Sequence, residues 1–273
     1  MALVAGCGEQ AAEKKTVKLV YVNWAEGIAM TNLMKAIIED ELGHDVQLQV
    51  ADVGPVYTSV AQGDNDAFLD AWLPVTHADY MDEFADQVVD YGYNYEGARI
   101  GLVVPSYVTI STIPEMNDHA EKFDGEIVGI DAGAGIMKAT DKAIDTYGLN
   151  LELISSSGPA MTAALKDGVD NENWVAVTGW KPHWKFARWD LKFLDDPEGV
   201  YGAAENIHTI ARQGLEEDMP MVAQLLKNFK MNDQQLGTLM GMIADSENAD
   251  PVEVAREWKA QNMDLVNSWL PQN

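Results

Sequence analysis

"TVKLVYVNWAEGIAMTNLMKAIIEDELGHDVQLQVADV", Thr16–Val53, decides the fold. It opens with "TVKLVYV", β-branched and apolar, a strand candidate. "IAMTNLMKAIIEDEL" follows with apolar residues at helical spacing and a stop at Gly43. "DVQLQVADV" then alternates Val46, Leu48 and Val50 with polar residues, a second strand. Beyond it, "PVYTSVAQG" is a short helix after Pro55, closed by Gly63, and "AFLDAW" is a third strand. Strand–helix–strand–helix–strand predicts a mostly parallel sheet with helices on both faces. Thr76, with Asp79 three residues on, is expected to cap the next helix, "HADYMDEFADQVV".

The pattern restarts further along. "ARIGLVVPSYV" is a strand interrupted by Pro105, and "EIVGI", Glu126–Ile130, begins a second α/β unit. A helix ending at Gly148, the strand "LELIS", the helix "GPAMTAALKDG" and the strand "NWVAVTGW" complete it. From about Asn206 the chain is mostly helical. A turnover near Val104–Ser106 and a return crossing near "YGAAENIHTIAR" give two lobes. The expected division is a tether at 1–15, one lobe from 16–104 plus 206–273, and a second from 105–205.

The chain has 273 residues, enough for a core in each of two lobes, and 47% are hydrophobic. No apolar stretch approaches the length of a bilayer span. With 44 acids against 18 bases the formal net charge is −26. That field repels nucleic acid and anionic lipid, attracts cations weakly and leaves a net-neutral ligand unsteered. An acidic surface serves solubility, and it also suits salty surroundings, where screening removes the self-repulsion.

The single cysteine, Cys7, excludes an internal disulfide. Its setting, "LVAGC" before "GEQAAEKK", resembles a bacterial lipoprotein processing site, in which the cysteine carries lipid. The apolar region before it is too short for a signal peptide, so a longer precursor is expected. On this reading Cys7 has no part in the fold, and the membrane is met only through a lipid anchor.

Three tryptophans share a position. Trp24 closes "TVKLVYVNW", Trp72 closes "DAFLDAW" and Trp180 closes "NWVAVTGW". In parallel α/β sheets ligands bind outside the carboxyl ends of the strands. Two of the rings belong to the first unit and one to the second, so facing lobes would bring them together. A single tryptophan at a strand end is more often packing than function. Converging indoles suit a quaternary ammonium, which has no N–H to donate and is held by ring faces. Three desolvated contacts of roughly 2 kcal/mol approach the roughly 8 kcal/mol of micromolar binding. A carboxylate would supply the rest. His77 at a helix start is one anion site. "DAGAGIMK", Asp131–Lys138, is another, with the N–H groups of Gly135 and Ile136 directed at the ligand. This glycine pair is not a dinucleotide fingerprint, because Lys138 takes the last glycine position. Cage plus anion pocket describes a small zwitterion. Trp174, Trp184, Trp189, Trp258 and Trp269 are assigned to packing.

The segments "YVNWAEGIA", "FLDAWLPVTH", "VGIDAGAGIM", "VTGWKPHW" and "ENIHTIARQG" resemble the glycine-betaine substrate-binding proteins of ABC importers, from about Thr16 to the C-terminus. The resemblance implies a two-lobed, type II periplasmic-binding-protein fold that closes on its ligand about a hinge. It puts the cage on Trp24, Trp72 and Trp180, and the carboxylate on His77 and the amides of Gly135 and Ile136. It also implies an extracytoplasmic, monomeric protein that hands its ligand to an ABC permease for osmoprotection. Proline betaine, carnitine, choline and dimethylsulfoniopropionate are alternative ligands. The residues themselves favour a zwitterion, since choline offers His77 nothing, although the net charge favours a cation.

Two other functions compete. A ligand sensor would use the same module. An enzyme would need chemistry that the motifs do not offer: there is no Walker loop, no Gly-x-Ser-x-Gly and no His-Glu-x-x-His. His77 and His183 stand apart from metal-ligating neighbours, so no metal or cofactor is expected. Asp70 and Asp131, near strand ends, could serve as bases, but are expected to cap helices or bond the backbone.

Overall fold

The structure, a computed structural model, describes residues 14–246 and 249–272. Cys7, with its expected lipid site, lies outside them. The first unit runs β1 (Thr16–Tyr21), α1 (Ala25–Glu41), β2 (Asp45–Val50), α2 (Val53–Ala61), β3 (Ala67–Leu73), α3 (Ala78–Phe84) and β4 (Val88–Pro105). A 3-10 helix, Pro114–Phe123, leads into β5 (Glu126–Val128), α4 (Gly135–Tyr147), β6 (Glu152–Ile154), α5 (Gly158–Asp170), β7 (Val177–Lys181), α6 (Lys185–Arg188) and β8 (Leu191–Phe193). β9 (Glu205–Arg212) precedes α7 (Leu215–Asp218), α8 (Pro220–Asn228), α9 (Asp233–Asp245), α10 (Pro251–Gln261) and α11 (Met263–Trp269).

The strands form two sheets joined through one strand. β2, β1 and β3 are parallel, and β9 inserts antiparallel between β3 and β4. In the second sheet β7, β5 and β6 are parallel, β4 joins β7 antiparallel, and β8 pairs with β4. β4 serves both sheets. Up to Ala98 it pairs with β9, and from Arg99 it pairs with β7. The chain therefore changes sheet inside β4, upstream of the turnover expected at Val104–Ser106. Ala98 faces Glu205 at the start of β9, so both crossings lie side by side.

The first half of β4 was not expected as strand. "VVDYGYNYEGA" lacks clean alternation because its pairing is broken near Gly92 and Gly97, both at positive φ. Such irregularities re-aim a strand and erase its period of two. The preceding helix ends correspondingly early, at Phe84 rather than near Val89.

The buried apolar side chains form one continuous cluster that runs through both lobes. In the first, α1 buries Met30, Leu33, Met34, Ile37 and Ile38, and α9 and α10 return from the end of the chain to cover it. Each such side chain contributes roughly 1.5–3 kcal/mol when fully buried. Lys259 Nζ of α10 donates to Asp40 and Glu41 of α1, both at 2.7 Å, which fixes the register of the two helices. Trp258 and Trp269 are buried, as their packing assignment requires, and Trp269 stands edge-on to Phe229 at 4.9 Å. Among the described residues no helix is long and apolar enough to cross a membrane.

Candidate functional site

Trp24, Trp72 and Trp180 line one cleft together with Glu26, Thr76, His77, Ile100, Ile130, Ala134, Gly135 and Ile136. Its empty space is about 270 Å³ counted out to the open solvent at its mouth. Trp72 and Trp180 lie near the carboxyl ends of β3 and β7, and Trp24 is the residue before α1. All three rings are at most 5% exposed.

His77 is fully buried beside the rings, its imidazole centroid 5.8 Å from that of Trp24. Its Nδ1 accepts from the Trp72 backbone N–H at 3.1 Å and stands 3.3 Å from the Tyr57 hydroxyl. An Nδ1 that accepts leaves the proton on Nε2. Nε2 is buried and has no partner within the protein. Burial, reinforced by Lys138, pushes the His77 pKa down to about 3. The site thus holds a neutral imidazole whose one free N–H is fixed in direction.

Two local expectations give way here. Thr76 does not cap α3. Its hydroxyl and N–H both donate to Glu205, the N–H at 2.9 Å, and the Val75 N–H adds a third bond at 3.1 Å. A buried carboxylate that satisfies three donors outcompetes a helix cap. The cap position belongs to His77, without a side-chain cap bond, and α3 has only seven residues. His77 therefore brings its side chain to the cleft and not the dipole of a long helix.

Gly135 and Ile136 are the first two residues of α4, whose opening N–H groups have no acceptor within the helix. Gly135 also faces the other lobe: a Cβ there would lie 2.2 Å from the Thr76 carbonyl oxygen. The lobes are closed on one another at this point. Tyr80 of α3 donates to the Gly133 carbonyl at 2.9 Å, and Lys138 pairs with Asp79 at 2.9 Å across the rim.

Asp70 and Asp131 cap no helix; Asp131 does bond backbone, its own N–H, as expected, while Asp70 bonds none. Asp70 accepts the Trp72 indole N–H at 2.9 Å, and Asp131 accepts that of Trp24 at 3.1 Å. Burial pushes both carboxyls up, Asp70 with the help of Glu26. Glu26 accepts the Trp180 indole N–H at 2.8 Å and is itself pushed up to about 7 by burial. Lys185, fully buried, has its Nζ 4.3 Å from the centroid of the Trp180 ring, and burial pushes it down to about 7. His183 packs edge-on against Trp180 at 5.1 Å and accepts from the Lys185 backbone N–H. Among the described residues no three His, Cys, Asp or Glu side chains gather as for a metal ion.

Sequence reading missed Glu26, Glu205, Tyr57 and Lys185. Glu26 follows Trp24 by two residues and looks like any first-turn acid. Glu205 belongs to "ENIHTIARQG", but its partners are distant in the chain, so nothing local marked it.

Two α/β lobes joined by crossing strands, with a cleft between them, are the architecture of the type II periplasmic binding proteins. Residues 15–261 match the family described as substrate binding domain of ABC-type glycine betaine transport system (OpuAC), and the chain belongs to that family. The glycine betaine/carnitine transport binding protein GbuC of Listeria monocytogenes is 45% identical over 164 residues, 59% of this chain and 54% of that protein. The match thus spans about half the length of that relative. The glycine betaine, L-proline ABC transporter binding protein ProX of Borrelia burgdorferi superposes with a TM-score of 0.89 and 37% identity, over 94% of this chain and 97% of that one. Lactococcal OpuAC, closed and complexed with glycine betaine, gives 0.87 and 34%, over 95% and 100%.

Proposed function

We propose that the protein captures glycine betaine, or a closely related methylated zwitterion, outside the cytoplasmic membrane and delivers it to an ABC permease. The observation that carries this is one cleft lined by three indoles and by His77, whose Nε2 is buried without a partner in the protein. Ring faces hold a trimethylammonium by its diffuse charge, and Glu26 adds a carboxylate to that wall. His77 Nε2–H and the amides of Gly135 and Ile136 then receive the carboxylate. The ligand touches both lobes, so its contacts are complete only in the closed form, and binding shifts the population towards it.

On this reading the lobes comprise 16–98 with 205–272, and 99–204. Cys7 is the lipid anchor, and the protein acts as a monomer. It is not an enzyme: the carboxylates that could act as bases are held by indole N–H groups, and the ligand leaves unchanged. GbuC carries glycine betaine in its name, and lactococcal OpuAC is complexed with it, which supports the ligand class.

Calorimetric titration with glycine betaine, choline and dimethylsulfoniopropionate tests the reading. Tight betaine binding with weak choline is the expected result. Choline binding as tight as betaine would remove the carboxylate half of the site. Mass analysis after incubation should return betaine intact.

A further inference from the structure

Every indole of the cage donates its N–H to a carboxylate, but the three pairs differ in one respect. Trp72 and Asp70 both belong to β3, so their bond does not depend on how the lobes stand. The other two bonds cross the cleft in opposite directions. Trp24 of the first lobe donates to Asp131 of the second, and Trp180 of the second donates to Glu26 of the first. Each lobe thus supplies one donor and one acceptor. Opening breaks both bonds and releases both rings from the orientation that forms the cage.

Glu26 lines the cleft, so it also faces the ligand directly, whereas Asp131 does not line it. The Asp131 carboxylate sits at the N–H edge of the Trp24 ring. One of its oxygens accepts the indole N–H, and the other is buried without a partner. Asp131 therefore touches the ligand only through the ring it holds.

We infer that Asp131, acting only through the ring it holds, and Glu26, beside its direct place in the cleft wall, form a reciprocal latch, fixing Trp24 and Trp180 in the closed cage and setting how long the ligand stays. The inference rests on the functional reading above for its ligand, but the latch itself is a property of lobe closure. An interaction formed after the ligand has entered slows its release and leaves its entry unchanged. A carboxylate–indole bond of ordinary strength corresponds to roughly a tenfold change in release rate.

The test is stopped-flow tryptophan fluorescence with glycine betaine on the full chain, in Asp131→Leu and Asp131→Asn. Leucine has a similar shape and no acceptor, while asparagine keeps an oxygen for the indole. Asp131→Leu should release betaine roughly tenfold faster, with association within about twofold of the parent protein. Asp131→Asn should restore the slow release. In a Trp24→Phe background, which lacks the N–H, adding Asp131→Leu should change nothing further. Unchanged release in Asp131→Leu, equal damage by asparagine, or an undiminished effect without the Trp24 N–H would each overturn the latch. Small-angle scattering at saturating ligand supplies a second readout: Asp131→Leu should retain more of the open form than the parent, and identical profiles would also overturn it. A parent protein indifferent to betaine would sink the functional reading instead, and the same scattering comparison with choline or dimethylsulfoniopropionate would decide the latch.

Discussion

His77 presents an N–H of fixed direction that does not titrate near neutrality. The Trp72 N–H occupies its Nδ1, with the Tyr57 hydroxyl beside it, and burial lowers its pKa from 6.5 to about 3. As pH falls, the unfolded chain therefore binds this proton first. The stability His77 contributes is complete above pH 6.5 and is lost between 6.5 and about 3. Imidazole ¹⁵N spectra between pH 8 and 5 should show the neutral Nε2–H form throughout, and a midpoint near 6.5 would contradict it. His77→Ala removes a hydrogen bond to a charged group, about 1.5–3 kcal/mol, so betaine affinity should fall roughly ten- to hundredfold. Choline has no carboxylate, and its affinity should stay within about threefold. Trp72→Ala and Trp180→Ala should each weaken betaine at least tenfold, about 2 kcal/mol per ring, with the circular dichroism spectrum unchanged. The rings were legible because a tryptophan at the carboxyl end of a strand has one face that the sheet does not cover. Glu26 was not, because an acid at a helix start is common for reasons unrelated to ligand.

At the scale of elements, α4 and the Pro74–Thr76 turn must meet without a side chain between them. The three atoms nearest to a Cβ built on Gly135 all belong to Thr76, at 2.2, 2.5 and 3.0 Å. Contacts under 3.0 Å with backbone force a shift, so Gly135→Ala should be tolerated by the open form and resisted by the closed one. Its melting temperature without ligand should match the parent's, while betaine affinity falls by two orders of magnitude or more. Normal affinity would mean that closure does not bring α4 this near. Glu205 sets the same junction from the other side, since it holds the Val75 and Thr76 N–H groups and the Thr76 hydroxyl. Glu205→Leu leaves three donors without their acceptor, at about 1–3 kcal/mol each where they stay buried, so both stability and affinity should drop. The glycine was legible as a place of close approach, with the ligand as the expected neighbour. The neighbour the structure shows is Thr76, and this depends on a hinge whose strand, β4, hides its first half behind two positive-φ glycines.

Over the whole molecule, two α/β units and a helical tail were enough to imply two lobes, because each unit needs its own covered sheet. The crossing point was not legible, since one continuous strand serves both sheets and no loop marks the change. Charge acts at this scale too. Even if every base paired with an acid, 26 acids would remain uncompensated. Many of the ion pairs are exposed, as Lys138–Asp79 is, and such pairs contribute about 0–1 kcal/mol each. Salt weakens those pairs and the repulsion together, shortening the screening length from about 10 Å at 0.1 M to about 3 Å at 1 M. Repulsion is the larger effect here, so the melting temperature should rise steadily from dilute buffer to molar sodium chloride. A flat or falling curve would mean that the acids are spread widely enough not to repel. The same field separates the ligand classes. Choline carries net positive charge and is drawn by the field, so its affinity should weaken as salt rises. Glycine betaine is neutral overall and held by local bonds, so its affinity should change little across the same range. If betaine weakened as steeply as choline, the protein's overall charge would be holding the ligand, and the His77 half of the site would have little share in it.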